Sequence, residues 1–451
     1  MKQKLNFSSY LVIGSMLFGL FFGAGNLIFP VHMGQEAGSK LLPAIIGFII
    51  TSTGLPFLGT IAIGISDSGS LMGLASKVSK FWAYLFTLLL YLTIGPLFAL
   101  PRTATVSYEV GFTLFIPQEH ARLSLFIFSL AFFGAALFFS LYPQKLLLWI
   151  GKVLNPTFLV LIGIVFVACV LSPMGSVSGT PVAESYANNA FFKGFTEGYN
   201  TMDALASLAF GVLIVDAIKN FGIRDQKEIT LHMAKTGAVC AALMVIIYAF
   251  LSYMGTSSLG VFELSANGGI ALAQIAGHYF GFFGNILLAL LVTVACIKTA
   301  IGLITSCADV FVELFPNSLS YKTYVFIFTC VSMIIANVGL TQIIQLSIPI
   351  LMFLYPQAIV LILLTLFSKT FSFGSLVYKT SMFTAALFSF GDAIAAFPPY
   401  LAKIAVFEKL LSLYQLAPFF NLGMSWVIPS LIGLAAGVLL SKLSGKENAA
   451  L

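Results

Sequence analysis

The chain has 451 residues, of which 59% are hydrophobic and only 8% charged, with a formal net charge of +6. So few charges cannot cover that much apolar surface in water, which excludes a soluble globular fold; in lipid the apolar surface needs no cover. The basic residues are scattered along the chain, which gives nucleic-acid binding no footing.

A spanning helix needs about twenty apolar residues, and the sequence supplies about twelve such runs. They fall near 8–31, 41–66, 81–104, 122–141, 146–171, 194–218, 232–256, 281–311, 322–340, 343–367, 380–400 and 424–443. The first follows Met1-Lys2-Gln3-Lys4, as a secretory signal would. It continues past Phe18 with no small-residue cleavage site, so it is expected to stay as the first helix. The tenth holds Pro349 and Pro356 and is expected to bend. Cys169, Cys240, Cys296, Cys307 and Cys330 sit singly in apolar runs, without the spacing of a metal site or a disulfide framework.

Alternate loops sort by lysine and arginine. One side carries Lys2, Lys4, Lys77, Lys80, Lys145, Lys152, Lys219, Arg224, Lys227, Lys235, Lys322, Lys369, Lys379, Lys442 and Lys446. The other keeps few, such as Lys40, Arg122, Lys193, Lys403 and Lys409. The positive-inside rule then puts both termini of this multi-pass chain in the cytoplasm. A loop rich in Ser, Gly, Pro and Asn, 173–189, divides the first ten helices into two sets of five. An odd number per set gives the sets opposite orientations, the geometry of an inverted repeat. The expected organisation is one membrane domain over 1–451. Residues 1–172 and 193–367 form its repeats, and 380–443 supplies two peripheral helices.

In such a repeat the first helix of each half is expected to be interrupted near the midplane. The first run contains Gly23-Ala24-Gly25-Asn26. The sixth contains Ser207-Leu208-Ala209-Phe210-Gly211, after the polar stretch Gly198-Tyr199-Asn200-Thr201-Met202-Asp203. Glycine costs about 1 kcal/mol relative to alanine inside a helix. An unwound segment exposes N–H groups at one half-helix end and C=O groups at the other, suited to a carboxylate and a cation. Glycines that only serve helix packing are the alternative.

The motif Phe21-Phe22-Gly23-Ala24-Gly25-Asn26-Leu27-Ile28-Phe29-Pro30, followed by Gly34-Gln35-Glu36-Ala37-Gly38, resembles the first-helix signature of the bacterial branched-chain amino acid carriers. Gly95-Pro96-Leu97-Phe98-Ala99-Leu100-Pro101-Arg102-Thr103-Ala104-Thr105-Val106, the stretch Gly198 to Asp203, and Pro349-Ile350-Leu351-Met352-Phe353-Leu354-Tyr355-Pro356 agree with it, so the resemblance spans essentially the whole chain. It implies an all-α polytopic protein with the LeuT-like 5+5 inverted repeat. Helices one and six would be broken, with two further helices at the periphery. The implied activity is secondary import of leucine, isoleucine and valine with Na+ or H+, without a cofactor or an obligatory protein partner.

By the same resemblance the substrate carboxylate meets main-chain amides at Ala24 and Gly25. The amino group meets carbonyls near the breaks, with Phe21, Ser207 and Phe210 as candidates. Phe210, Leu303 and Tyr91 would line an apolar side-chain pocket. Burial contributes about 0.8 kcal/mol per methylene, which separates leucine, isoleucine and valine poorly. Asn26 is either a cation ligand or substrate contact through its amide oxygen, or a cap on the outer half-helix. Asp203 binds the substrate amine or a proton, or sits in the outer vestibule. Arg102 is a gate with Glu109 or Asp203, or an arginine reaching for the interface. Asp392 is a further intramembrane carboxylate whose partner the sequence does not name.

In the eighth run Ala295, Lys298, Thr299, Gly302 and Thr305 or Ser306 recur at three and four, forming one small and polar face. A mid-helix lysine costs about 2.5–3.5 kcal/mol in lipid, so that face should look at another helix. The resemblance implies a cation between Gly19 and Phe22 of helix one and Ala295 and Thr299 of helix eight. Lys298 stands where sodium-coupled carriers of this fold have a second hydroxyl. Either its ammonium replaces the sodium, as a fixed or proton-switched cation, or it turns aside to Asp309 or Asp392 and leaves the site to Na+.

An intramembrane enzyme would need a nucleophile and base or a metal-binding motif. His32, His120, His232 and His278 are far apart in the chain and form none. No charge ring or filter argues for a channel. A carrier of the same fold for another neutral or cationic amino acid, or a nucleobase, is the nearest alternative. No ATP-binding motif appears, which leaves an ion gradient as the energy source.

Overall fold

A backbone amide in lipid has no water to bond, so apolar runs fold as helices that close their hydrogen bonds internally. The computed structural model describes residues 7–66, 69–113, 116–141, 155–371, 373–398, 401 and 403–443. Among these there is no strand. Six helical stretches among them are long and apolar enough to cross a membrane, and a bent pair makes a seventh. Four shorter apolar helices accompany these. The expected start of the fifth span (146–154) and Lys2, Lys4, Lys145, Lys152 and Lys446 lie outside the described residues.

The first span is interrupted as its glycines suggest. α1 (Phe7–Phe21) ends before Phe22 and Gly23, and α2 (Ala24–Ala37) resumes beyond them. The second span runs from α3 (Leu41–Ile49) through a π-turn at Ile50–Gly54 into α4 (Leu55–Ile65). After α5 (Leu71–Ser76), the third is broken, although the sequence reads as continuous there. α6 (Lys80–Leu92) gives way to a π-turn at Thr93–Leu97 before α7 (Ala99–Gly111). Gly95 there is non-helical, with φ −92° and ψ −123°, and Pro96 has no amide to continue the ladder. α8 (Ala121–Leu141) and α9 (Asn155–Leu171) complete the first half.

The sixth span departs from expectation in position. α10 (Glu184–Ala187) and α11 (Ala190–Glu197) lead through a 3-10 turn at Gly198–Thr201 to Met202, where α12 (Asp203–Asn220) begins. The path bends by 43°. Met202 is left-handed, with φ 61° and ψ 12°, at a cost of roughly 1–2 kcal/mol for a residue with a side chain. Ser207 to Gly211, the expected break, is unbroken helix inside α12. The polar stretch before it is where the chain turns.

α13 (Gln226–Ser258) and α14 (Gly268–Leu314) follow. α14 kinks at Gly281 (φ 59°), so the expected helix from 281 is preceded by a helical arm. α15 (Tyr321–Ala336), α16 (Leu340–Phe371), α17 (Ser375–Ala395), α18 (Ala405–Tyr414) and α19 (Val427–Leu443) end the chain. α1, α2, α4, α12 and α13 pack on one another, while α7 lies along α14, which also meets α8 and α2. α17 bridges α16 and α19 at the side.

Glycines set the closest of these approaches. A methyl group at Gly34 on α2 would collide with the Ser252 backbone of α13, and one at Gly255 on α13 with the Val31 backbone of α2. One at Gly268, where α14 starts, would meet the Ile28 backbone. Overpacking usually costs roughly 1–3 kcal/mol, and here only backbone stands opposite. Gly34→Ala and Gly255→Ala are therefore expected to abolish the monodisperse peak in detergent chromatography. Gly134→Ala, with no atom within 4 Å of the added carbon, should leave it unchanged.

Candidate functional site

The last carbonyls of α1 and the first amides of α2 lose their helical partners at the break. The Phe18 carbonyl is recovered by the Phe22 amide at 2.7 Å. Asn26 recovers the Gly23 amide, accepting it on Oδ1 at 2.8 Å. That bond fixes which end of the amide is oxygen and turns the nitrogen outward. Asn26 Nδ2 donates to Asp203 Oδ2 at 2.7 Å and to the Tyr248 hydroxyl, which itself donates to Asp203 Oδ2 at 2.8 Å. All three residues are buried, on α2, α12 and α13. The capping alternative for Asn26 therefore describes its oxygen, while its nitrogen ties the first break to the second.

The break of the sixth span is held by Arg102 of α7, which is 2% exposed. Its Nη1 donates to the Asn200 carbonyl at 2.9 Å and its Nη2 contacts Met202 Sδ at 2.8 Å. The guanidinium lies 5.2 Å from the centre of the Phe29 ring on α2. Arg102 thus clamps a carbonyl that the left-handed turn strips from its helix. Among the described residues it makes no ion pair with Glu109 or Asp203; Glu109 accepts the Thr113 hydroxyl instead. Asp203 is the first residue of α12, 1% exposed, at the break itself.

These groups surround one cavity. Phe21, Ala24, Gly25, Asn26, Phe210, Leu303, Thr299, Arg102 and Asp203 line it, joined by Leu20, Ile94, Ala99, Thr103, Thr201, Met202 and Ala206. The lining is mixed: Asn26, Arg102, Asp203, Thr103, Thr201 and Thr299 stand with Leu20, Phe21, Ile94, Phe210 and Leu303. α7 reaches the cavity because the break at Gly95-Pro96 redirects the third span.

Tyr91 and Ser207 fall outside this wall. The Tyr91 hydroxyl donates to the Ala209 carbonyl at 3.2 Å and braces α12 from behind. Ser207 faces Gly59 of α4 and donates to the Ala204 carbonyl at 2.7 Å. Gly19, Phe22, Ala295 and Lys298 also stand back from the wall. Thr299 meets the first break directly: a side-chain carbon on Gly23 would come within 3.1 Å of its methyl. Its hydroxyl donates to the Ala295 carbonyl at 3.2 Å. Lys298, the preceding residue, is 8% exposed. Asp392 accepts the Ser425 amide at 3.1 Å, two residues ahead of α19, and so serves that helix's start.

Replacing Arg102 with Met would leave the Asn200 carbonyl unpaired, a loss of about 1–3 kcal/mol. Substrate binding by the purified protein should weaken about tenfold or more. Arg102→Lys should not restore it, since an ammonium cannot serve two diverging acceptors with a planar fork.

Comparison with known proteins follows the same lines. The family model described as "Branched-chain amino acid transport protein" matches residues 6–444. The branched-chain amino acid permease BrnQ of Lactobacillus delbrueckii subsp. lactis is 44% identical over 95% of this chain and 96% of its own. BrnQ of Bacillus subtilis is 41% identical over 99% and 100%. Among solved structures, Mhp1, a nucleobase-cation-symport-1 family transporter, aligns with TM-score 0.61 at 13% identity, over 98% of this chain and 93% of its own. MhsT in complex with L-phenylalanine aligns with TM-score 0.56 at 14%, over 97% and 100%. At such identities these structures speak for the fold alone, and it is the LeuT-like one with broken first and sixth helices. The chain belongs to the branched-chain amino acid transport protein family, a family of multi-pass membrane permeases and not of enzymes.

Proposed function

We propose that this protein imports leucine, isoleucine and valine across the bacterial inner membrane by alternating access, driven by a cation, Na+ or H+. The observation that carries the reading is the cavity at the meeting of two helix breaks. An amino-acid zwitterion needs one anionic and one cationic partner a few ångströms apart, beside apolar space. The first-turn amides of Ala24 and Gly25, with Arg102 near them, suit its carboxylate. Asp203 and the terminal carbonyls of α1 suit its ammonium. Leu20, Phe21, Ile94, Phe210 and Leu303 suit a branched aliphatic chain. The names of the relatives, branched-chain amino acid permeases, support the same substrates for this chain. The two five-helix repeats, 1–172 and 193–367, would carry the movement, with both termini cytoplasmic.

For the coupling ion, the reading turns on Lys298, buried beside Thr299 where α14 faces the break of the first span. Its ammonium takes the place of a sodium ion there, fixed or switched by a proton. The test is leucine uptake into proteoliposomes under an inward sodium gradient, against choline at matched pH. Uptake indifferent to sodium is expected, with Lys298→Thr creating sodium dependence. Sodium-driven uptake by the unaltered protein, or unchanged ion requirements in Lys298→Thr, would return the site to Na+. Competition should rank leucine, isoleucine and valine within about fourfold per methylene, with lysine and uracil far weaker. Effective competition by lysine or uracil would overturn the substrate assignment.

A further inference from the structure

Tyr248 lies on α13, fully buried, and does not line the cavity. Its ring is held edge-on against Phe48 of α3, with centroids 5.4 Å apart. Its hydroxyl is spent on the cavity's only buried carboxylate among the described residues, at 2.8 Å from Asp203 Oδ2. The second donor to that same oxygen is Asn26 Nδ2, at 2.7 Å, whose amide also caps the first break through Gly23. The neighbouring Thr201 hydroxyl accepts the Asp203 amide and donates to the Gly198 carbonyl at 2.9 Å. Both side-chain donors converge on Oδ2, and Asp203 lines the cavity, where Oδ1 is the oxygen a substrate donor would take. A buried carboxylate able to rotate would choose its own partner. This one is held from behind by two groups on two other helices.

We propose that Tyr248 is a positioning residue for the α-ammonium group of the substrate, acting through Asp203. The inference rests on the reading of the cavity as an amino-acid site and deepens it. Tyr248 and Asn26 fix the carboxylate in the rotamer that receives the ammonium, and the same hydrogen bonds close the two helix breaks around it. Recognition of the amine and the joining of the broken helices are one set of bonds. An α-hydroxy acid of the same shape offers only one neutral donor to that oxygen and is rejected on that account.

Tyr248→Phe keeps the ring and removes the donor. Leucine uptake by this variant in proteoliposomes is expected to show a KM raised about tenfold, with the maximal rate within about twofold. The advantage of leucine over 2-hydroxy-4-methylpentanoate in competition should shrink by a similar factor. Asp203→Asn should raise KM about a hundredfold or more and erase that advantage. Adding Tyr248→Phe to Asp203→Asn should then change KM by less than about twofold, because both act on one interaction. A purely structural tyrosine would lower the amount of folded carrier and the maximal rate, leaving KM and the leucine-to-hydroxy-acid ratio alone. Unchanged KM and ratio in Tyr248→Phe, or full additivity in the double variant, would overturn the proposal. Should Tyr248→Phe fail to fold, Asp203→Asn decides alone, and a retained preference for leucine refutes the assignment. If the unaltered protein takes up no leucine, the substrate reading itself fails, an outcome distinct from either.

Discussion

A polypeptide in lipid must satisfy its own backbone, and around the cavity this chain opens its helices at three places where no water is assured. The arrangement of side chains there follows from that constraint. At the first break the Gly23 amide is taken by Asn26. At the sixth span the Asn200 carbonyl is taken by Arg102. In the third, the Pro96 carbonyl accepts the Ser332 hydroxyl at 3.3 Å, and the Tyr91 carbonyl accepts Cys307 Sγ at 3.4 Å. The rescues of the sixth and third spans come from other helices, and Asn26 reaches across to a third, so the breaks that make room for a ligand also bind the helices together. The residues at the end of α1 and the start of α2, Leu20, Phe21, Ala24 and Gly25, line the cavity.

Much of this is legible in the residues. Run lengths give the spans, and the glycines of the first break mark it to within a residue. The sixth break lies earlier than its small residues suggest, because its turn is made by Met202, a side chain with no preference for left-handed backbone. The true marker is the polar stretch before it, whereas Ser207 and Gly211 are small in order to pack against Gly59 and Ile63 of α4. In the third span Gly95-Pro96 carries the signal of a break, but a proline in a spanning helix reads equally as a bend. Tyr248 is invisible in the sequence, since one tyrosine in a 33-residue apolar helix has no local mark. Its role exists only through partners 45 and 222 positions away.

Polar residues at membrane depth divide accordingly into two kinds. Asp392 supports the start of α19 through the Ser425 amide, and Ser207 and Tyr91 brace α12; these hold helices in place. Asn26, Arg102 and Asp203 share the cavity with apolar groups, and their bonds run between breaks. Composition alone cannot separate the two kinds, because burying either costs free energy in the same way. What separates them is whether the bonds are made at the breaks beside the cavity or brace a helix away from it.

The glycine contacts of α2 have a mechanical consequence. Because backbone meets backbone at Gly34, Gly255 and Gly268, no side chain intervenes at these contacts to roll over or re-pack. α2, the end of α13 and the start of α14 are in effect welded. Further along α14 the weld ends at Gly281, where φ is 59° and an added side chain would meet nothing within 4 Å. Any displacement of α2 must carry the arm 268–280 with it, and Gly281 is the joint at which that displacement can be shed before it reaches Lys298 and Thr299.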